Sequence, residues 1–255
     1  MRAPTRIAIV GAAGRMGQAL IAAASGRRQL AVSGAFNRAE ANCGAPAEAL
    51  LAQTDVVIDF SIAASSADLA MRLARRGGPA MVIGVTGFSP QQQAAIRDAA
   101  GRIAIVQSAN FSIGLNLLAA FAQRAAARLA AADWDVEIIE AHHRRKRDAP
   151  SGSALMLGEA AARGRGASLE SLRAPSREGV TAGRREGEIG FAIVRGGGLV
   201  GEHSVLFAAE DEILTFSHSA RERGAFARGA LRAATWVRNR TPGLYGMADV
   251  LAGEA

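Results

Sequence analysis

The sequence predicts an α/β unit built on a parallel sheet, followed by an α+β unit with a mixed or antiparallel sheet. Three observations carry this reading. Short β-rich runs alternate with helical stretches up to about residue 110, the pattern of a parallel sheet with crossover helices. Beyond that point three β-rich runs follow one another closely. The 255 residues, 49% hydrophobic and 21% charged, can bury the core of one large or two modest domains, which excludes a disordered or collagen-like chain.

The expected strands of the first unit are 6–10, 30–36, 55–60, 80–84 and 103–107. Helices are expected over 16–25, 63–76 and 90–100. The last has Ser89 as its N-cap and Pro90 at its first position, where proline's missing N–H costs nothing. A longer helix over 114–131 follows Asn110-Phe111-Ser112. The second unit reads as a strand over 134–141, a helix over 153–163 and an exposed Gly-, Ser- and Arg-rich loop over 164–187. Strands over 188–195, 201–208 and 212–218 are close enough for an antiparallel meander. A helix over 224–238 then precedes a tail punctuated by Gly and Pro. Trp134 and Trp236 read as core anchors. His203 and His218, both on strands, are expected to pack or hydrogen-bond within the sheet.

Composition narrows the function. Cys43 is the sole cysteine, so an internal disulfide and a cysteine-held zinc are both excluded, and a reducing cytoplasm is expected. No apolar run approaches the roughly 18 residues of a membrane span. The formal charge of +7 is almost all arginine: of 30 basic residues only Lys146 is lysine. Aromatics for base stacking are scarce at 5%, so a basic surface suits anionic metabolites at least as well as nucleic acid.

The segment Gly11-Ala12-Ala13-Gly14-Arg15-Met16-Gly17 lies between an expected strand and an expected helix. In that setting glycines allow a tight turn, and the helix N-terminus offers N–H groups and a positive dipole end to a pyrophosphate. The spacing G-x-x-G-x-x-G also suits a plain strand–helix turn. About 20 residues on, where a carboxylate would accept hydrogen bonds from the ribose of NAD, stand Asn37-Arg38. The absent carboxylate and an arginine able to pair with a phosphate favour NADPH, although Arg38 also reads as a solvated loop residue. Asp59, ending a strand, would cap the next helix or touch the nucleotide.

Residues 140–153, Glu-Ala-His-His-Arg-Arg-Lys-Arg-Asp-Ala-Pro-Ser-Gly-Ser, hold two of the four histidines and the sole lysine. In a chain that otherwise uses arginine, a lone lysine marks a position that arginine cannot fill. An ammonium can give up a proton, whereas a guanidinium is effectively always charged. Histidine is suited to proton transfer near neutral pH. Ser151-Gly152-Ser153 then opens a helix whose N–H groups and hydroxyls suit a carboxylate. A basic surface loop, or an RNA-binding patch, has the same composition. Asp148 is expected to fix the loop.

Taken together, these motifs resemble the dihydrodipicolinate reductase family over nearly the whole chain. The residues that carry the resemblance are 10–17, Val57-Ile58-Asp59-Phe60-Ser61, Ile83-Gly84-Val85-Thr86-Gly87-Phe88, Ala109-Asn110-Phe111-Ser112-Ile113-Gly114, 140–154 and Gly201-Glu202-His203. The resemblance implies a Rossmann-like dinucleotide-binding domain over 1–111 and 220–255, and a substrate-binding and oligomerisation domain over 112–219. It implies NADPH- or NADH-dependent reduction of a cyclic 4-hydroxy dicarboxylate to tetrahydrodipicolinate with loss of water, on the diaminopimelate route to lysine. It implies a cytoplasmic homotetramer, with neither nucleic acid nor membrane as partner and no metal.

By position, His142 matches the family's acid/base and Lys146 its second proton donor, which also faces a substrate carboxylate. His143, Gly152 and Ser153 match further substrate contacts. Gly11, Ala12, Ala13, Gly14, Arg15 and Met16 match the pyrophosphate turn, with Asn37 and Arg38 on the nucleotide's ribose side. Gly84, Val85 and Thr86 match the nicotinamide-side loop. Ser108, Ala109, Asn110 and Phe111 match the stretch near the nicotinamide. Asn37 stands where many members carry an acidic residue.

Overall fold

Alternating β and α elements produce a six-stranded parallel sheet in the computed structural model, which describes residues 3–37, 51–180 and 182–253. The chain divides into two units, Met1–Ile113 with Arg223–Ala255, and Gly114–Glu222.

In the first unit the strands are β1 (Thr5–Val10), β2 (Leu30–Phe36), β3 (Val56–Asp59), β4 (Ala80–Ile83), β5 (Ala104–Gln107) and β10 (Gly243–Tyr245), in the order β10-β5-β4-β3-β1-β2. The inner strands β1 and β3 carry the apolar runs Ile7–Val10 and Val56–Ile58 because helices cover both faces of the sheet. On one face lie α1 (Arg15–Ala24) and α7 (Gly224–Val237), which bury Leu20, Ala230, Leu231 and Ala234 against Ile7, Ile9 and Ile58. On the other lie α2 (Ala63–Arg75) and α3 (Pro90–Ala100), which bury Leu69, Leu73 and Ile96 against Val57, Met81 and Ile105. Helix α3 starts as expected: Ser89 accepts from the Gln92 N–H at 3.2 Å, and the Gln92 side chain accepts from the Ser89 N–H at 2.8 Å.

The second unit holds a mixed sheet of β6 (Asp135–His142), β7 (Ile189–Arg195), β8 (Glu202–Ala208) and β9 (Ile213–Ser219), in the order β7-β6-β8-β9. Helices α4 (Ile113–Ala126) and α5 (Gly152–Gly164) cover one face, packing Leu115, Leu118, Ala154 and Leu157 on Val136, Ile138, Val205 and Phe207.

Several expectations need correction. The last three strands do not form a meander: β6 lies between β7 and β8, parallel to β7 and antiparallel to β8. The connection from β6 to β7 carries a helix, and such a connection is long enough for a parallel crossover. The helix expected to reach residue 131 ends at Ala126, and tight turns bring Leu129 and Trp134 back against the core before β6. An alanine-rich run has the same helix propensity on either side of that end. The expected loop 164–187 contains α6 (Leu169–Leu172), capped by Ser168 and anchored by the buried Leu169. The tail is not a plain coil, because β10 extends the parallel sheet and α8 (Met247–Ala252) buries Met247 and Val250. Trp134 and Trp236 sit at the margins of their cores, where Trp236 carries the Arg240 guanidinium over its ring at 4.1 Å.

Candidate active site

The carboxyl ends of the parallel strands gather most of the residues expected around a nucleotide. Sequentially connected strands diverge there, since β1 has β2 on one side and β3 on the other, which leaves a crevice between the loops that follow them. Gly11 follows β1 with φ at +82°, a left-handed conformation open to glycine, and a Cβ there would lie 2.9 Å from the Phe60 carbonyl oxygen. A Cβ on Gly17 would lie 2.3 Å from the Gly11 carbonyl oxygen, so glycine at both positions lets α1 start directly against the turn. Gly14 is the N-cap of α1 and supplies no side chain to cap it, which leaves the first N–H groups for an anion. Arg15 is exposed beside them. This cradle, closed to side chains on its protein side, fits a pyrophosphate.

The neighbouring loops are also internally braced. Asn37 follows β2, and its side-chain oxygen accepts from the Ala13 N–H at 3.1 Å, tying the second strand end to the glycine turn. Arg38 lies outside the described residues. Gly84 follows β4, where a Cβ would run into the Phe60 ring at 2.2 Å. Val85 is buried and Thr86 exposed. After β5, Ser108 donates to the Asn110 carbonyl at 2.7 Å, and the Asn110 side chain accepts from the Ser112 N–H at 2.8 Å. Ala109 is exposed and Phe111 is buried against Phe60. Asp59 does not cap α2, whose N-cap is Ile62. It is fully buried and accepts from the Ser61 N–H at 2.8 Å, and burial raises its pKa.

In the second unit the basic segment folds around the end of β6. His142 ends that strand, 8% exposed, with its Nδ1 at 2.5 Å from Glu140 Oε2. Residues two apart on a strand share a face, so both side chains lie on the helix-covered side. Glu140 is 1% exposed and fully engaged. Its Oε1 accepts from the Ser151 N–H at 3.0 Å and from Arg195 Nη2 at 2.7 Å, and its Oε2 from Arg195 Nη1 at 2.8 Å. Burial raises the Glu140 pKa, but the hydrogen bonds from Arg195, His142 and the Ser151 N–H outweigh it, holding the carboxyl below its ordinary value. For His142 the balance runs the other way. Burial lowers its pKa, Glu140 raises it, and Lys146 and Arg195 lower it further, so it ends below the ordinary value.

Lys146 donates to Asp148 at 2.8 Å, and this hydrogen bond holds the Asp148 carboxyl below its usual range. Asp148 therefore braces the loop, and Arg195 donates to its backbone carbonyl at 2.8 Å. Ser151 caps α5 by accepting from the Ala154 N–H at 3.1 Å. That leaves Gly152, exposed and with open space where a Cβ would go, and the half-buried Ser153 at the helix start. His143, just past the end of β6, buries its Nδ1 without a hydrogen-bond partner among the described residues. His203, on β8 directly across from Glu140, has its Nε2 at 3.1 Å from the Ser151 hydroxyl and its ring edge-on to His142 at 5.0 Å. The expected substrate residues His142, His143, Lys146, Gly152 and Ser153 thus share one loop and one helix start.

Sequence reasoning gave no role to Glu140 or Arg195. The i, i+2 spacing of Glu140 and His142 could have flagged the first. Arg195 is 55 residues from Glu140 in the chain, and only the strand register that pairs it with His142 brings it in.

Comparison with known proteins decides the family. Residues 5–111 match the family model described as dihydrodipicolinate reductase, N-terminus, and residues 114–251 match dihydrodipicolinate reductase, C-terminus. The chain belongs to the dihydrodipicolinate reductase family. The 4-hydroxy-tetrahydrodipicolinate reductase of Caulobacter vibrioides is 54% identical, over 98% of this chain and 98% of its own length. The protein of the same name from Zymomonas mobilis is 45% identical over 96% of each chain. Among solved structures, the dipicolinate-bound dihydrodipicolinate reductase of Paenisporosarcina sp. TG-14 is 26% identical. It aligns with a TM-score of 0.77 over 95% of this chain and 97% of that one. The structure of GenD2 in complex with NAD, 14% identical with a TM-score of 0.57, shares the Rossmann-like fold. This member of the reductase family is an oxidoreductase. Among its described residues no helix is long and apolar enough to cross a membrane.

Proposed function

We propose that this chain is a 4-hydroxy-tetrahydrodipicolinate reductase, which reduces the cyclic 4-hydroxy dicarboxylate to tetrahydrodipicolinate with loss of water, on the diaminopimelate route to lysine. The observation that carries this reading is His142, backed by a buried carboxylate that also accepts from the Ser151 N–H at the α5 N-cap, within electrostatic reach of the chain's sole lysine. A dianionic ring explains that assembly. One carboxylate is received by the N–H groups and the Ser153 hydroxyl at the helix start, with His143 beside it, and the other faces Lys146. When bound, the reduced nicotinamide supplies the hydride, which adds to the ring carbon that loses its hydroxyl as water. The water takes its second hydrogen from the neighbouring ring carbon, leaving a conjugated imine. His142 returns a proton to that neighbouring carbon once hydride has been added, the ring keeping its C=N bond, and Lys146 both offsets substrate charge and serves as second proton donor. The glycine turn 11–16 holds the pyrophosphate. Asn37 and Arg38 meet the ribose side, and Gly84–Thr86 and Ser108–Phe111 frame the nicotinamide.

NADPH is the preferred cofactor in this reading. Asn37 spends its carbonyl on the glycine turn, and among the described residues no carboxylate stands at this strand end to accept from a ribose diol or to repel a 2′-phosphate. Residues 1–111 and 220–255 carry the nucleotide, and 112–219 carry the substrate and the contacts of a homotetramer. With a single cysteine in the chain, the reducing cytoplasm suits it.

The test is nicotinamide oxidation by the purified chain, with substrate made in situ by the preceding synthase from pyruvate and aspartate semialdehyde. The expected result is oxidation that depends on the synthase and is faster with NADPH than with NADH. Equal or reversed rates would overturn the preference, and oxidation of neither would overturn the assignment.

A further inference from the structure

We propose that Glu140 and Arg195 are positioning residues of this site: Arg195 clamps the Glu140 carboxylate, which fixes the ring and tautomer of His142, and the same guanidinium holds the loop that carries Lys146. This rests on the proton-donor roles given to His142 and Lys146 above.

The geometry leaves Glu140 little freedom. All four of its polar contacts are filled, two of them by the parallel prongs of one guanidinium at 2.7 and 2.8 Å. A carboxylate held by such a fork stays ionised and can only accept hydrogen bonds. The proton between it and His142 therefore sits on Nδ1, and Nε2 is the nitrogen left to exchange a proton with substrate. Gly201 keeps that side of the ring clear, since a Cβ there would stand 3.2 Å from Nε2.

Arg195 does more than neutralise Glu140. Its Nη2 also donates to the Asp148 carbonyl at 2.8 Å, while the Asp148 carboxylate accepts from Lys146 at 2.8 Å. One planar cation on β7 thus orients both proton donors, a task that the single ammonium of a lysine could not share among three acceptors in fixed directions. Stability alone gives a largely buried carboxylate paired with a half-buried arginine little reason to exist, because apolar residues of similar volume often serve as well. The charged and titratable groups facing His142 are Glu140 from its own strand, Arg195 from β7, Lys146 from the following loop and the His203 ring from β8. Of these only Glu140 favours the protonated imidazole.

Glu140→Gln tests the proposal in the full-length chain, because it keeps the shape and removes the charge. Its turnover is expected to fall about 100-fold with NADPH binding unchanged. The high-pH limb of kcat/KM should move down by about one pH unit or more, since His142 loses its one acidic neighbour. Nitrogen-15 spectra of histidine-labelled protein should show neutral His142 protonated at Nδ1 in the native chain and redistributed in the variant. Arg195→Lys, which keeps charge but not the fork, should lose turnover and redistribute the tautomer in the same direction. It also carries the test if Glu140→Gln fails to fold. Native turnover, an unmoved pH limb and an unchanged tautomer in a folded variant would overturn the proposal. An inactive native chain would instead sink the reduction reading, and the tautomer, read without turnover, would still decide whether Glu140 sets the ring.

Discussion

Lys146 is the residue on which the proposed chemistry depends most. It is the sole lysine among 30 basic residues, and its side chain is one-fifth exposed against Asp148. Replacing it by alanine should lower turnover about 100-fold or more, while NADPH binding, followed by nucleotide fluorescence, stays native. Turnover near the native rate would remove its proton-donor role. The melting temperature should barely move, because an ion pair of this exposure is worth under about 1 kcal/mol. His203 gives a pH prediction. Burial, and next the His142 imidazole, push its pKa from 6.5 down to about 4. The folded value lies below the unfolded one, so between those pH values the unfolded chain binds the proton. The stability it contributes is complete above about pH 6.5 and is lost as pH falls towards about 4, a total of about 3 kcal/mol. Urea denaturation across that range should show the loss in the native chain and much less of it in His203→Gln. Parallel profiles would contradict the assignment. The adjacent histidines and the odd lysine were legible in the sequence because residue type alone marked them. Arg195 was not, since one arginine among 29 looks like any other until strand pairing places it.

Among the elements, the strand–turn–helix of residues 5–24 was the most legible, because its glycines follow an apolar run and precede a helix. The structure supplies the reason for those glycines. A methyl group on Gly17 would press on the backbone of Gly11 and Ala12, which a side-chain rotation cannot relieve. Gly17→Ala should therefore lower stability by about 1–3 kcal/mol and weaken NADPH binding more than it weakens binding of a substrate analogue such as dipicolinate. Calorimetric titration with each ligand separates the two, and an equal loss for both would mean that the damage is global. The order of β6 to β9 was illegible for a different reason. Alternation and spacing identify strands but carry no information on which strand lies between which, and the pairing of β6 with β7 is decided by how α5 crosses over. The three-residue β10 was too short to carry any period.

In the whole molecule, the described helices of the second unit pack on one face of its sheet. Ile139, Val194, Leu206 and Ile213 share its other face, and Ile139, Val194 and Ile213 are each more than a third exposed. One apolar side chain on each of four strands, set among Glu137, Ser204 and Thr215 on the same face, is the kind of mixed surface that association covers, in keeping with the homotetramer proposed above. Val194→Asp combined with Ile213→Asp should reduce the mass measured by light scattering, and an unchanged mass would place the subunit contacts elsewhere. The proposed reaction passes hydride to the ring carbon that loses its hydroxyl. The direct measurement is to supply NADPH deuterated at the nicotinamide carbon, generate substrate with the synthase, and locate the label in the product by NMR. The expected product is tetrahydrodipicolinate carrying deuterium at that ring carbon. An unlabelled product, or label at another position, would contradict the proposed reaction.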